Sequence, residues 1–229
     1  MDRKERGESD LLFTIYTKDF GRIEILGKAI RKIDSKLRPA ADIFYFSEIE
    51  FIQGKTQKTL TDAILLEKFS EIQKDLKKRT LAYKISETLD NFIKGQEPDE
   101  KIWQLLIEAL QKLNSSEKLE IIYYYFFWNF ISLLGYAPEL YLCAICRKKL
   151  TPAKLCFSVK EGSLICQSCS KEAQLNQDIG QDTVKILRII LKKDWKTFSK
   201  LKIEEKRLEE LESISREYCK YLCENSSSF

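Results

Sequence analysis

Residues 11–29 read LLFTIYTKDFGRIEILGKA, and this stretch decides the first part of the fold. Leu11–Thr17 is rich in β-branched and aromatic side chains, Asp19-Phe20-Gly21 has turn composition, and Arg22–Ala29 alternates around Ile23 and Ile25. Alternation with a period of two sets one apolar row against a core, which is the pattern of a half-buried strand. Further along, Ile43–Gln53 (IFYFSEIEFIQ) is another alternating aromatic strand that Gly54 stops, and Lys58–Ala63 forms a short last strand. Short strands on short connections predict a small antiparallel β-barrel. Within Phe44-Tyr45-Phe46 the alternation puts the two Phe rings on one face and Tyr45 on the other. Tyr45 is therefore the candidate for an exposed ring on which an unpaired base could stack.

From about Thr61 the apolar spacing turns helical: Leu65, Phe69, Ile72 and Leu76 follow at intervals of four, three and four. Tyr83–Ile93 continues that period and stops at Gly95 and Pro98. Asp99 is placed to cap a helix over Glu100–Leu113, with Trp103, Leu106, Ile107 and Leu110 on one face. Lys118–Leu134 is helical and apolar nearly all round, which predicts a buried helix that Gly135 and Pro138 end. Helices resume at Gln181–Lys193 and Glu204–Cys223, and the tail from Asn225 is expected to fray. The expected fold class is thus α+β in two domains, with no βαβ alternation: a barrel over residues 1–62 and an all-α domain over residues 63–229. A cysteine-rich insert at residues 139–171 interrupts the second domain.

Composition narrows the function. The chain has 229 residues, is 44% hydrophobic and 32% charged, and contains no His. Ser-His-Asp triads, Cys-His dyads, HExxH zinc sites and Cys2His2 fingers are thereby excluded. Neither GxGxxG nor GxxxxGK[ST] occurs, so the usual dinucleotide and phosphate cradles are absent too. No enzymatic activity and no small-molecule substrate are expected. The first residues, MDRKERGESD, lack the apolar segment of a signal peptide. The longest charge-free run, Ile121–Pro138, carries three consecutive Tyr, an Asn, a Ser, a Gly and a Pro, and reads as a core helix rather than a membrane span. The expected setting is a reducing cytoplasm, where 7 Cys argue for metal or free thiols over disulfides.

The chemistry sits in Cys143-Ala144-Ile145-Cys146 and Cys166-Gln167-Ser168-Cys169, two CxxC pairs with 19 residues between them. That spacing falls in the window of a four-Cys zinc site, each CxxC turn offering two thiolates to one tetrahedral ion. Between them, Cys156–Val159 and Ser163–Ile165 flank Lys160-Glu161-Gly162, which reads as a hairpin turn. This is the layout of a zinc ribbon holding one structural zinc, with Cys143, Cys146, Cys166 and Cys169 as ligands. Cys156 reads as a small buried apolar residue, and Cys219 and Cys223 as at most half a site. The rival reading of the CxxC pairs is a thiol oxidoreductase.

Charge clusters locally although Lys+Arg at 39 barely exceeds Asp+Glu at 35. Lys18, Arg22, Lys28, Arg31, Lys32, Lys36 and Arg38 outnumber Asp19, Glu24 and Asp34. Within residues 143–171, Arg147, Lys148, Lys149, Lys154, Lys160 and Lys171 face only Glu161. Lys185, Arg188, Lys192, Lys193, Lys196, Lys200 and Lys202 face only Asp194. Three basic clusters in an otherwise acidic chain point to a polyanion partner. The candidate DNA contacts are the first cluster together with Lys192 and Lys193. The alternative is a zinc-ribbon scaffold whose lysines are merely solvated.

Two motifs carry a resemblance. Gly7-Glu8-Ser9-Asp10 followed by LLFTIYTKDFGRIEIL, with the basic stretch Lys28-Ala29-Ile30-Arg31-Lys32-Ile33-Asp34-Ser35-Lys36, resembles the start of the bacterial RecO family of recombination mediators. Leu133-Leu134-Gly135-Tyr136-Ala137-Pro138-Glu139-Leu140, just before Cys143, is similar to that family's LLG-[YF]-x-P-x-L-x-x-C-x-x-C segment. The resemblance implies an N-terminal OB-fold and a helical C-terminal domain interrupted by a zinc finger. It also implies binding of single- and double-stranded DNA, annealing of complementary strands, and work with RecR and the C-terminal tail of SSB to load recombinase. Such a protein would be cytoplasmic and nucleoid-associated. Two departures stand out. Only six residues precede Gly7, so four strands are counted where an OB barrel has five: the first strand is missing, or the barrel is open at one edge. Ala29 stands where the family commonly has Gly.

Overall fold

A computed structural model describes residues 2–151, 155–171, 173 and 176–225. They form two compact units, one ending at Leu119 and the other starting at Glu120. Lys154 of the second basic cluster lies outside the described residues, as does the tail after Asn225.

The first unit opens with five strands: β1 (Asp2–Arg6), β2 (Asp10–Thr17), β3 (Gly21–Gly27), β4 (Phe46–Gln53) and β5 (Lys58–Glu67). Their order in the sheet is β1-β2-β3-β5-β4, antiparallel except for a short parallel pairing of β3 with β5 at Ile25↔Lys58 and Leu26↔Thr59. β1 and β4 stand at the two ends, so the sheet is not closed into a barrel. The first strand is present after all. β1 is all exposed and carries no apolar alternation, so no periodicity marks it. Backbone pairing holds it, from Asp2↔Thr14 to Arg6↔Asp10, across a turn in which Gly7 takes φ 61°. The inward rows of the sheet meet in a core of Phe13, Ile25, Ile30 and Leu60, with Leu11, Ile15, Ile49 and Phe51 packed against it.

The Phe44–Phe46 reading needs correction. The strand starts only at Phe46, and Phe44 has φ 58°, so alternation does not extend back to it. Phe44 is buried, and Tyr45 is half-buried with the Lys68 ammonium 5.6 Å from its ring centre. The helical period expected from Thr61 is also broken. β5 continues to Glu67, Phe69 turns left-handed at φ 48°, and only then do α1 (Ser70–Lys74) and α2 (Leu76–Phe92) follow. Phe69 and Ile72 are buried, but Leu76 is 69% exposed, so the four apolar residues do not share one helical face. α3 (Glu100–Ser115) is capped as its sequence predicts: the Asp99 carboxylate accepts from the N–H groups of Lys101 at 2.8 Å and Ile102 at 3.0 Å.

Ala29 follows β3 with φ 52°, and its N–H donates to the Asp10 carboxylate at 2.7 Å. The left-handed region costs a Cβ-bearing residue about 1–2 kcal/mol, which glycine avoids. Ala29→Gly should therefore stabilise the unit by roughly 0.5–1 kcal/mol, a rise of about 2 °C in melting temperature. A lower melting temperature would contradict the assigned turn.

The second unit is built on α4 (Leu119–Leu133), whose Ile122, Phe126, Phe127, Trp128, Phe130 and Ile131 are all fully buried. Around it run β6 (Leu155–Ser158), β7 (Ser163–Cys166), α5 (Gln167–Ser170), β8 (Asn176–Ile179), α6 (Gln181–Leu191), α7 (Trp195–Phe198) and α8 (Glu205–Asn225). The Trp128 indole donates to Ser215 Oγ at 2.9 Å, and its ring stacks on Tyr218 of α8. Asn129 Nδ2 donates to the carbonyls of Tyr125 at 2.8 Å and Ile190 at 3.1 Å, tying α4 to α6. These donors meet partners, which offsets their desolvation, although Asn129 Oδ1 is buried without one. Among the described residues, no helix is long and apolar enough to cross a membrane.

Candidate metal centre and basic surface

The ribbon expected between the CxxC pairs forms. β6 and β7 pair from Leu155↔Cys166 to Ser158↔Ser163 around the turn ending at Gly162. A third strand, β8, joins β6 on its other side with the register Leu155↔Ile179 to Ser158↔Asn176. Its sequence, NQDI, has no strand signature, so periodicity misses it. Phe157 of β6 is fully buried and meets both the Trp128 and the Tyr218 rings edge to face.

This hairpin delivers the second cysteine pair to the first. Before Cys143, the Glu139 carboxylate accepts from the N–H groups of Tyr141 at 2.7 Å and Leu142 at 3.2 Å. Those donors hold its pKa below the usual carboxylate range despite partial desolvation. The chain then folds into a tight knuckle. Arg147 N–H donates to the Cys143 carbonyl at 2.9 Å, Arg147 takes φ 60°, and Cys143 N–H donates to the Lys148 carbonyl at 2.9 Å. Ala144 N–H donates to the Leu164 carbonyl at 3.0 Å, locking knuckle to hairpin. On the other side Cys166 is the N-cap of α5 and Cys169 lies within it.

The result is that the Sγ atoms of Cys143, Cys146, Cys166 and Cys169 all lie within 4.8 Å of one another. Cys146 and Cys166 are 3.9 Å apart at sulfur, and neither forms a disulfide. A tetrahedron with metal–sulfur bonds of about 2.3 Å has sulfur edges of about 3.8 Å, so the spacing fits one ion. The electrostatics fit as well. Burial opposes ionisation of Cys143, but backbone N–H groups of Cys146, Cys166 and Ile145 outweigh it and bring the thiol down to about 6. Cys169 goes the opposite way, up to about 12, because Cys166 hydrogen-bonds its thiol form, with desolvation and the other two thiols adding to the rise. Four clustered thiols cannot all carry charge unaided, and a cation at their centre removes that conflict. Four cysteines gathered in this way could bind a metal ion. Cys156 is buried beside the cluster and points its thiol at the Asp178 carboxylate, 3.2 Å away. Cys219 and Cys223 lie on α8 and are not in the cluster.

The basic candidates separate by what they touch. Lys28, Arg31, Lys32, Lys36 and Arg38 are exposed on the connection between β3 and β4, not on strands. Arg31 pairs with Glu5 at 3.2 Å, and Arg22 Nε donates to Asp90 of α2 at 2.6 Å. Lys18 is exposed, with its ammonium 5.8 Å from the centre of the Trp103 ring. Lys192 and Lys193 are exposed at the end of α6. Arg188, counted with them by charge alone, serves the knuckle: its guanidinium lies 4.3 Å over the Tyr141 ring and donates to the Leu140 carbonyl.

An open five-stranded sheet with a helical unit that carries a tetracysteine ribbon defines a sheet-plus-helix protein with a four-cysteine cluster that could hold a metal ion. The family models for the Recombination protein O N terminal and C terminal match residues 1–69 and 73–227. The chain belongs to the recombination protein O family. It is 31% identical over 218 residues to the DNA repair protein RecO of Dehalococcoides mccartyi, covering 95% of this chain and 86% of that protein. To the protein of the same name from Desulforamulus reducens it is 28% identical over 221 residues, 96% of this chain and 86% of the other. The Roseiflexus protein of that name is 26% identical over 222 residues, 97% and 78% of the two chains.

Proposed function

We propose that this chain is a non-enzymatic recombination mediator in DNA repair that binds single- and double-stranded DNA without reading sequence. The observation that carries the reading is similarity along nearly the whole chain to proteins named DNA repair protein RecO. Exposed cations on separate elements support it. Lys18, Lys28, Arg31, Lys32, Lys36 and Arg38 in the first unit and Lys192 and Lys193 in the second are the phosphate contacts, with Arg22 the most restrained by its carboxylate partner. Lysine and arginine at phosphates release counterions and carry no base information. Holding two strands on basic surface screens their mutual repulsion and so favours annealing.

The ion in the tetracysteine centre is zinc, one per chain, held by Cys143, Cys146, Cys166 and Cys169 in a closed structural shell. Four converging thiols suit that role better than a two-thiol redox pair. Residues 1–62 act as the OB-type domain and residues 63–229, with the insert at 139–171, as the helical one. The partners are RecR and the C-terminal tail of SSB, on whose coated strands recombinase is loaded, in the cytoplasm at the nucleoid. The test is annealing of complementary strands coated with SSB. Added protein should accelerate duplex formation over the spontaneous rate, and an unchanged rate would count against the reading.

A further inference from the structure

The loop from α6 into α7 has an unusual composition of surface. Lys192 and Lys193 in that loop, Lys196 of α7 and Lys200 just beyond it are all exposed, and Asp194 is the one acid among them. Asp194 is already committed: its carboxylate accepts from Thr197 N–H at 2.9 Å and caps α7. Lys193 takes φ 56°, and its carbonyl accepts from the Tyr125 hydroxyl at 3.4 Å and from Trp195 N–H at 3.0 Å. The turn is thus pinned to the buried helix α4, and Trp195 is set among the lysines.

Trp195 itself is only half-buried, yet its ring is braced on an aromatic wall. It meets Tyr125 at 5.1 Å and 72° and Phe198 at 5.9 Å and 68°, and those two rings stack on each other. Tyr125 is 2% exposed and Phe198 fully buried, so the wall cannot swing away. A large ring held still by its neighbours has little conformational entropy left to lose when a ligand covers it. A braced, partly exposed indole among ammonium groups that outnumber the one Asp194 carboxylate near them matches what an unpaired nucleotide asks for: a π-face for the base and cations for the phosphates on either side.

We propose that Trp195 is a stacking platform for one base of single-stranded DNA, with Lys192, Lys193, Lys196 and Lys200 holding the flanking phosphates. This rests on the reading of the chain as a DNA-binding protein and adds a base contact to it. It moves the stacking role from Tyr45, which the strand does not reach, to the helical unit. A duplex keeps its bases stacked inside, so Trp195 serves single strands only.

The test compares the full-length protein with Trp195→Leu and Trp195→Phe on three probes: oligothymidylate, an abasic strand of equal length, and a duplex. Trp195→Leu should weaken oligothymidylate binding roughly five- to one-hundred-fold and leave abasic-strand and duplex binding unchanged. Trp195→Phe, which keeps a ring, should retain most of the affinity. Independently of the Leu variant's folding, oligothymidylate should quench tryptophan emission in a Trp103→Phe background, which removes the half-buried indole beside Lys18, and adding Trp195→Phe should abolish most of that quenching, since Trp128 is fully buried. Equal losses on abasic and base-bearing strands, or quenching that survives Trp195→Phe in the Trp103→Phe background, would overturn the assignment while leaving DNA binding intact. Absence of wild-type binding to all three probes would overturn the DNA reading along with it.

Discussion

Replacing Cys166 by Ser should, on the proposed zinc reading, abolish metal binding and destabilise the second unit by about 4 kcal/mol or more, because structural zinc contributes its binding energy directly to folding. The substitution isolates the ligand. Cys166 is the N-cap of α5, a position that serine fills well, so the local backbone has no other reason to fail. Losing one thiolate leaves Cys143, Cys146 and Cys169 around an incomplete shell. Cys156→Ser is the matched control: that thiol faces Asp178 rather than the cluster, and the variant should keep one metal per chain. Metal analysis and thermal melting of the two variants read the outcome. Full metal content and an unchanged melt in Cys166→Ser would refute a structural centre at these residues.

The second large effect is expected at Gly162. It closes the β6–β7 turn with φ 59°, and a Cβ there would lie 2.2 Å from the Tyr218 hydroxyl oxygen and 2.6 Å from Cζ. Tyr218 cannot yield cheaply. It is 4% exposed, stacked on Trp128 and edge-on to Phe157, and burial raises its phenol to about 12. Gly162→Ala therefore combines the left-handed cost with overpacking, about 2–4 kcal/mol together. Gly7, at φ 61° with open space around it, separates the two contributions. Gly7→Ala should cost only about 1–2 kcal/mol. Equal losses in the two variants, read by chemical denaturation, would show that the Tyr218 contact is not what constrains the turn.

How much of this was legible in the residues depends on whether spacing or partnership carries the information. The convergence of the four cysteines was legible because CxxC geometry is local and the hairpin between the pairs has its own turn. α3 was legible because Asp99 and the apolar face of the helix both lie within one short segment. β1 was not, since DRKER is held by a backbone ladder and no side chain of it enters the core. β8 was hidden because NQDI carries a single apolar residue, the buried Ile179, and so shows no alternation. The break at Phe69 was masked by apolar residues that happen to fall at helical intervals on either side of it. Basic runs proved the least informative. Charge alone cannot distinguish Lys192, which faces solvent, from Arg188, whose guanidinium braces the knuckle, or from Arg22, which is paired with Asp90. Trp195 carries no motif at all; its setting exists only once α4 and α7 are packed.

The most direct test of the account is a salt titration of the full-length protein on mixed-sequence single-stranded DNA, read by fluorescence anisotropy. Log affinity should fall linearly with log salt, at roughly −0.7 per phosphate contacted. Replacing Lys28 and Lys32 together by Ala should flatten that slope by about 1 to 1.5 units and weaken all sequences alike. Binding that is insensitive to salt, or no binding at low salt, would contradict a mediator that works through phosphate contacts.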